Sequence, residues 1–311
     1  RKILLFISSA ILLGILGYYK YFNFGLSTIN SINSILFYDI IPLETLNIVL
    51  PVGISFFTFM ALSYLFDIYR KDMVPTTSLR EYALFISFFP HLVAGPIVRA
   101  AELIPQLKQT MEITYESLRR GTTLIVWGFF KKVVIADNIA QFINPIFTNP
   151  IGESSFVIIG ATFLFGIQIF CDFSGYTDIA IGIAKIMNID FPINFNRPYL
   201  SQNPTEFWRR WHMSLSRFIR DYLYIPLGGN RKGIARTYVN LMVTWLVCGL
   251  WHGAAWNFIA WGAYHGVLLS IHKYISPLGE RFFEKQSPHF GRILFVLSIF
   301  ITQYFVFLGW L

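Results

Sequence analysis

The 311 residues are 55% hydrophobic and only 14% charged, with a mean hydropathy of +0.54. Because soluble domains carry about 25% charged residues, this composition excludes an ordinary water-soluble protein and indicates a chain that lies mostly in membrane lipid. The net charge of +8 does not indicate a nucleic-acid partner, because the basic residues flank apolar segments and the sequence contains no recognisable nucleic-acid-binding module.

Eight apolar runs are long enough, or nearly so, to cross a bilayer, which requires about 20 residues in a helix. They show no regular apolar–polar alternation, so they predict helices rather than strands. The predicted spans are residues 2–18, 45–67, 80–98, 121–143, 155–171, 237–252, 254–274 and 291–311. Pro51, Pro90 and Gly253 interrupt these runs, and such breaks are tolerated where the backbone lines protein or a wet cavity. We therefore predict an all-α polytopic membrane protein with tilted and broken transmembrane helices.

Two further helices are predicted outside these spans. Residues 175–187 are too short to cross a bilayer and are predicted to form a re-entrant or tilted helix. Between Thr205 and Leu223, apolar side chains recur at helical spacing, and Trp208 and His212 lie on the apolar stripe. This pattern predicts an interfacial helix whose apolar face, with His212, points into the bundle, and Asn203 or Thr205 can cap its start.

The basic residues are concentrated in one part of the chain. Between Glu206 and Arg236 there are seven Lys or Arg residues against two acidic residues. Such an excess favours the cytoplasmic side of a membrane, or contact with anionic lipid headgroups. We therefore expect this surface to have membrane lipids among its partners.

Four sequence blocks occur in a fixed order that is typical of one protein family. The blocks are Gln168–Asp178, Asn194–Tyr199, Phe207–Ser216 and Trp251–Gly253. They closely resemble the membrane-bound O-acyltransferase family, and the resemblance, helped by Phe88–Ile97, covers about Phe56 to His272. Within that family, Tyr224–Arg231 is similar to the bacterial alginate O-acetylation branch more than to the D-alanyl transferase of teichoic acid.

The resemblance implies a fold, an activity and a site. Members of the family transfer an acyl group from a thioester donor to a hydroxyl, inside a central tunnel through the helical bundle. His252 of the Trp-His-Gly block is the implied catalytic residue, and His212 of the Trp-His-Met-Ser block is implied to act near the same tunnel. We also expect segments usual at both ends of the family to be missing from residues 1–311. Residues 1–311 are therefore expected to form a single membrane-embedded O-acyltransferase domain, truncated at one or both ends.

The reaction suits a histidine in the role of general base. A hydroxyl is a poor nucleophile at neutral pH, and an imidazole that removes its proton during the attack accelerates the reaction by about 10²–10⁴-fold. Taken alone, His252 is explained more readily as a core residue, and His212 equally well as a partner of a neighbouring carbonyl. The four ordered blocks favour the catalytic interpretation of His252.

Further residues are predicted to line the tunnel or to bind the donor. The tunnel-lining candidates are Trp208, Asn196, Arg197, Asp172, Trp251 and Trp256. Arg197 can equally pin its own loop, and Asp178 is expected to form an ion pair with Lys185 or a helix-cap network. Arg231 and Lys232 lie in a loop that is either a plain turn or a docking site for an anionic donor. No spacing of His, Cys and acidic residues predicts a metal site.

Cys248 leaves a second chemical route open. It precedes His252 by four residues, so one helix face can carry both side chains, with the thiol as a covalent nucleophile. A buried cysteine is normally an inert small hydrophobic residue. The resemblance also favours direct transfer, because the family relays no acyl group through a cysteine.

The predicted function is O-acetylation of an exported polysaccharide in the inner (cytoplasmic) membrane of a bacterium. The donor, acetyl-CoA or an acyl-carrier protein thioester, is expected to arrive from the cytoplasm as a co-substrate, and no bound cofactor is expected. The acyl group then passes to a sugar hydroxyl, to an extracytoplasmic acetyltransferase or to a polysaccharide-export partner. Two alternatives stay open: a proton-coupled transporter with intramembrane His and Asp as its relay, and a catalytically silent scaffold.

Overall fold

The computed structural model describes residues 1–36, 42–283 and 288–310, and within these ranges the chain is helical and contains no strand. The helices are α1 (Lys2–Leu16), α2 (Phe22–Leu36), α3 (Ile54–Arg70), α4 (Leu79–Ser87), α5 (Ala100–Leu107), α6 (Tyr115–Phe129), α7 (Asp137–Thr148), α8 (Ser155–Ile186), α9 (Pro204–Arg210), α10 (Met213–Ile219), α11 (Ile234–His252), α12 (Trp256–Phe283) and α13 (Pro288–Leu308). Among the described residues, four helical segments are long and apolar enough to cross a membrane: Lys2–Leu36, Ser155–Ile186, Ile234–His252 and Gly291–Leu308. The prediction of an all-α, multi-pass membrane protein is confirmed.

The first span is longer than predicted. A π-helical turn, Gly17–Tyr21, joins α1 to α2, so one helix of 35 residues runs from Lys2 to Leu36. The sequence prediction ended this span at residue 18, two residues before the charged side chain of Lys20. In the structure the Lys20 ammonium group donates hydrogen bonds to other elements, which allows the helix to continue past it.

The predicted interruptions at proline and glycine are confirmed. Residues 42–53 contain no helix, and α3 begins after Gly53, whose φ of 76° lies in the left-handed region. A Cβ at Gly53 would also collide with the Leu92 carbonyl oxygen. The helix α4 ends at Ser87, just before Pro90. The segments predicted as spans 45–67 and 80–98 are therefore each only partly helical.

One long helix, α8, replaces two predicted elements. It runs for 32 residues, so the separate short helix predicted at 175–187 is wrong. Polar residues in its middle are accommodated because lysines of the neighbouring π-helical turn (Phe130–Ala136) pair with them. Small residues also allow α6 to approach closely: a Cβ at Gly175 would lie 2.7 Å from the Gly128 carbonyl oxygen.

The ion pair predicted between Asp178 and Lys185 is wrong. Asp178 pairs instead with Lys131 at 2.6 Å, and Lys185 pairs with Asp190 at 2.6 Å. Seven-residue spacing places two residues on one helix face, but they lie two turns apart, and a partner on an adjacent helix is closer. Lys131 also donates to Ser174 Oγ at 3.0 Å, so it ties the π-helical turn to α8 at two points.

The single interfacial helix predicted from Thr205 to Leu223 is also wrong, because the chain turns sharply at its centre. The helix α9 ends at Arg210, and α10 begins at Met213. Between them His212 has a φ of 45° in the left-handed region, which is uncommon for a residue with a Cβ. The start of α9 agrees with the sequence, since Asn203 accepts a hydrogen bond from the Glu206 amide at 2.8 Å.

The predicted division of residues 237–274 at Gly253 is confirmed. The helix α11 ends at His252, Gly253 is extended, and α12 starts at Trp256. Only glycine fits at position 253, because a Cβ there would collide with the ring of Phe258. This chain reversal fixes His252 as the last residue of α11, beside the first turns of α12.

Candidate active site

Two cavities meet near the C-terminal end of α11. The first has a volume of about 1050 Å³ and a mainly apolar and aromatic lining, and we call it the apolar cavity. The second has a volume of about 1040 Å³, and we call it the basic cavity because its lining includes four cations: Arg209, Arg217, Arg220 and Lys273. Trp211, His212 and His252 line both cavities. The two histidines singled out in the sequence therefore lie together, at the wall that separates a basic space from an apolar one.

His252 is accessible although it lies at the end of a membrane-spanning helix. Its side chain is exposed, and the space that reaches it is that of the two cavities. Trp251 and Trp261 hold the ring edge-to-face, with centroid distances of 5.0 Å and 4.8 Å. The imidazole is therefore fixed in orientation by aromatic contacts while its polar edge stays open to an incoming molecule.

His212 is held more tightly than His252. It is only 2% exposed, and its ring packs edge-to-face on Phe173 with centroids 4.8 Å apart. Its Nδ1 lies 3.3 Å from the side-chain oxygen of Asn194. The left-handed backbone at His212 directs α9 and α10 away from each other and places the imidazole at the corner between them.

Asn194 determines which nitrogen of His212 carries the proton. Its Oδ1 accepts a hydrogen bond from the Ser214 amide at 3.2 Å and another from Ser214 Oγ at 2.6 Å. Because a backbone amide can only donate, the Asn194 atom facing it must be the oxygen. In the neutral ring, Nδ1 of His212 therefore donates to Asn194, and Nε2 keeps its lone pair as an acceptor.

The cations of the basic cavity differ in how they are held. Arg217 pairs with Glu102 at 3.0 Å, and Arg220 with Asp221 at 2.7 Å. Burial acts to raise the pKa of Asp221, but hydrogen bonds from Arg220 and Arg99 outweigh this effect and lower it, so the carboxylate stays charged. Arg209 and Lys273 are exposed. The residues that line this cavity carry a net positive charge, which favours an anionic occupant.

Residues 72–309 match the model of the MBOAT, membrane-bound O-acyltransferase family. The chain belongs to the membrane-bound O-acyltransferase family. It is 45% identical over 259 residues to the probable alginate O-acetylase AlgI of Azotobacter vinelandii, a match that covers 83% of this chain and 51% of that relative. It is 40% identical over 322 residues to the peptidoglycan O-acetyltransferase of Helicobacter pylori, covering 95% and 59% of the two chains.

A less similar relative is named for a different activity. It is 30% identical over 276 residues to the teichoic acid D-alanyltransferase of Bacillus subtilis, covering 85% of this chain and 68% of that relative. The higher identity to the alginate relative agrees with the branch resemblance seen in the sequence. The chain spans about half the length of the Azotobacter vinelandii relative that it matches.

In this member of the membrane-bound O-acyltransferases, two of the predicted tunnel-lining tryptophans lie at the cavities. Trp208 lines the basic cavity and Trp251 lines the apolar cavity. Trp251 also stacks on Phe59 with centroids 5.2 Å apart. A role in substrate binding stays a prediction for both tryptophans.

The structure does not bring the other predicted tunnel residues to these cavities. Asp172 forms an ion pair with Lys132 at 2.5 Å on the α8 side of the bundle. Trp256 is 61% exposed and donates to Thr28 Oγ1 at 3.2 Å. Asn196 and Arg197 are exposed in the loop before α9, and Arg197 has a left-handed φ of 46°. Asp172, Asn196 and Arg197 belong to family blocks, and Trp256 lies three residues beyond one. None of the four lines either cavity.

The two predicted donor-docking residues, Arg231 and Lys232, are exposed in the loop that precedes α11. Neither is among the residues that line the basic cavity. The cations that do line it include Arg209, Arg217 and Arg220. In the sequence these belong to the basic cluster that was expected to contact anionic lipid headgroups, and they were not predicted to bind the donor. These side chains come together only in the fold, where α9 packs against both α10 and α12.

Cys248 lies one turn before His252 on α11 and lines the basic cavity. It is a free cysteine, 5% exposed, and packs in an apolar cluster with Ile97, Leu215 and Trp251. Within the described ranges, no three His, Cys, Asp or Glu side chains converge closely enough to hold a metal ion.

Proposed function

We propose that the protein is an O-acyltransferase that moves an acetyl group from a thioester donor to a hydroxyl of an exported polysaccharide, with His252 as the general base. Family membership and the names of the relatives support the reaction class. The observation that carries the proposal is the position of His252. Its exposed ring lies where a basic cavity and an apolar cavity meet, so two different substrates can approach it from opposite sides.

The chemistry follows from this arrangement. His252 accepts the proton of the acceptor hydroxyl while the hydroxyl oxygen attacks the carbonyl carbon of the thioester. The tetrahedral intermediate then collapses, the C–S bond breaks, and the proton passes from the imidazolium to the departing thiolate. His212, whose Nε2 keeps a lone pair, holds a water or the acceptor hydroxyl beside His252.

The basic cavity is the proposed entrance for the donor. Acetyl-CoA and the phosphopantetheine arm of an acyl-carrier protein both carry phosphate beyond the thioester, and both meet cations there. The positive-inside rule favours the cytoplasmic side for this basic surface, and such donors are made on that side. The acceptor is then proposed to reach His252 through the apolar cavity. This arrangement corresponds to a multi-pass protein of the bacterial inner membrane.

The acceptor is proposed to be an exported polysaccharide of the alginate type, reached directly or through an extracytoplasmic acetyltransferase. Relatives named for alginate and for peptidoglycan both modify extracytoplasmic polymers, and the alginate relative of Azotobacter vinelandii shares more identity with this chain than the Helicobacter pylori relative. The choice of polymer rests on that difference. It rests also on the sequence block Tyr224–Arg231, which is similar to the alginate branch.

The test uses the full-length protein in lipid nanodiscs with radiolabelled acetyl-CoA and alginate oligosaccharides. We expect release of free CoA thiol and transfer of label to the sugar. Substitution His252→Ala is expected to reduce the transfer rate by at least about 10²-fold. The control is His91→Asn, a buried histidine that packs on Phe88 and Phe191 and lines neither cavity.

Two outcomes would contradict the proposal. If the parent protein consumes no thioester while it moves protons or solutes across the bilayer, the transporter alternative is correct. If His252→Ala transfers acetyl groups at the parental rate, His252 is not the base. An unchanged level of polysaccharide acetylation in cells that carry His252→Ala would instead indicate a scaffold.

A further inference from the structure

The first span contacts the end of α11 through two consecutive residues. The ammonium group of Lys20 donates to the Trp251 carbonyl oxygen and, at 3.1 Å, to Ser55 Oγ of α3. The hydroxyl of Tyr21 donates to the Leu250 carbonyl oxygen at 2.9 Å. Lys20 and Tyr21 lie more than 200 positions before Trp251 and Leu250 in the chain. Their contacts join the N-terminal helix to the helix that ends in His252.

These two carbonyls need partners from outside their own helix. The last four carbonyls of an α-helix have no amide to accept from within the helix. At the end of α11 the Gly253 amide donates a hydrogen bond to the Gly249 carbonyl oxygen, and the chain then leaves the helix at the extended Gly253. Lys20 and Tyr21 satisfy the next two carbonyls, those of Trp251 and Leu250. We call this pair of contacts the α11 cap.

Lys20 brings a positive charge to the C-terminal end of α11. The C-terminus of a helix carries about half a negative charge, and a cation there is stabilising. The Lys20 ammonium also lies 5.8 Å from the centroid of the Trp251 ring, so it faces the indole as well as the carbonyl. These partners account for a lysine in the middle of a membrane span, because an intramembrane cation is costly unless it is paired.

The backbone of the first span is adapted to this contact. Lys20 and Tyr21 both lie in the π-helical turn Gly17–Tyr21, and such turns occur frequently at functional sites in otherwise regular helices. The turn brings two consecutive side chains to two consecutive carbonyls. Both residues also lie outside residues 72–309, which the family model covers.

Lys20 of the α11 cap also lines the apolar cavity. Among the described residues that line this cavity, Lys20 is the only Lys, Arg, Asp or Glu, and His252 lines the same cavity one residue beyond the capped Trp251 carbonyl. The cap therefore fixes the backbone from which the His252 side chain projects. It acts from the side of the cavity by which the proposed acceptor arrives.

We propose that Lys20 and Tyr21 are positioning residues for His252: by capping the last carbonyls of α11, they hold its imidazole where the two substrates meet. This proposal rests on the proposed function of His252 for its catalytic consequence, but the capping itself is a property of the fold. A misplacement of about 1 Å in a catalytic group costs about 100-fold in rate. The cap should therefore affect turnover much more than donor affinity.

The kinetic test compares Lys20→Met and Tyr21→Phe with the matched control Tyr18→Phe, in full-length protein with acetyl-CoA as the donor. Tyr18 lies in the same π-helical turn but is exposed. We expect kcat to fall by about 10- to 100-fold in the two cap variants, with KM for acetyl-CoA unchanged within about twofold. Lys20→Arg, which keeps the charge and the donors, should recover most of kcat. Parental kcat in the Lys20→Met, Tyr21→Phe double variant would overturn the proposal, and so would a loss confined to KM.

A second measurement does not depend on catalysis. Hydrogen–deuterium exchange is followed in the peptide that covers residues 249–256. We expect exchange there to be at least about threefold faster in Tyr21→Phe than in Tyr18→Phe, because the uncapped helix end opens more often. Equal exchange in the two variants would overturn the cap even if both are active. If the parent transfers no acyl group but the exchange difference is present, the proposed function fails and the cap stands.

Discussion

The side-chain oxygen of Asn194 lies 3.3 Å from Nδ1 of His212 and also accepts hydrogen bonds from the amide and hydroxyl of Ser214. The Asn194 carbonyl oxygen further accepts from the Met213 amide at 2.9 Å. One buried asparagine therefore stabilises the left-handed turn at His212 and fixes the orientation of its ring.

Substitution Asn194→Ala should reduce acyl transfer by about tenfold or more, because His212 loses the acceptor that sets its tautomer. The Ser214 donors would also be left unpaired in a buried site, at a cost of about 1–3 kcal/mol in the free energy of unfolding. Both quantities are measurable in nanodiscs, by thioester turnover and by thermal unfolding. The matched control is Asn196→Ala, an exposed position two residues along the same loop. Equal losses in the two variants would contradict the role assigned to Asn194.

This pair of asparagines shows what sequence reasoning can reach. The block from Asn194 to Tyr199 was recognised, but the candidates taken from it were Asn196 and Arg197, with pinning of the loop left open as an equal account of Arg197. Which of two asparagines in a loop is buried depends on the turn at His212, and that turn interrupts a pattern with helical periodicity. Local spacing carried no signal for it.

Contacts between residues far apart in the chain were the second feature that could not be predicted from the sequence. Among the described residues, four of the eight predicted spans coincide with helices long and apolar enough to cross a membrane. These spans, the helix breaks and the family histidines follow from apolar runs, glycine and proline positions and short blocks, all of which are local. Lys20 was visible only as a charge that interrupts an apolar run, since its partner carbonyl at Trp251 lies at the other end of the chain. The partner of Asp178 is likewise on a different helix from the one that the spacing suggested.

The α6–α8 crossing should be sensitive to small increases in side-chain volume. A Cβ at Gly175 would lie 2.7 Å from the Gly128 carbonyl oxygen, whereas a Cβ at Gly160 on the same helix has open space. We therefore expect Gly175→Ala to lower the free energy of unfolding by about 1–3 kcal/mol. Gly160→Ala should be neutral or slightly stabilising, because alanine favours a helix over glycine. Intrinsic tryptophan fluorescence during thermal unfolding in detergent measures both, and a neutral Gly175→Ala would show that the two helices can separate without cost.

Substitution Cys248→Ala should leave acyl transfer within about twofold of the parent, because direct attack by the acceptor hydroxyl needs no thiol. Cys248 is buried among Ile97, Leu215 and Trp251, so its removal should cost about 1 kcal/mol in stability. Turnover of labelled acetyl-CoA measures the first effect. Loss of all transfer in a Cys248→Ala variant that still folds, together with an acetyl–enzyme adduct on the parent protein, would establish the covalent route instead.

For the donor site, the sequence and the structure point to different residues. The sequence pointed to Arg231 and Lys232, whereas Arg209 and Lys273 line the basic cavity beside His252. The double variant Arg209→Gln, Lys273→Gln should raise KM for acetyl-CoA by about tenfold, because two exposed cation–phosphate contacts contribute about 1.4 kcal/mol together.

The matched control for this donor site is the double variant Arg231→Gln, Lys232→Gln, which removes the same net charge from the loop before α11 and should change KM by less than about twofold. The difference between the two pairs should shrink as salt rises from about 0.05 M to 0.5 M, because screening weakens exposed charge interactions. Steady-state kinetics with labelled acetyl-CoA at several salt concentrations measures all four values. A larger rise in KM for the loop pair than for the cavity pair would show that the donor binds at the loop. It would contradict the proposal that the donor binds in the basic cavity.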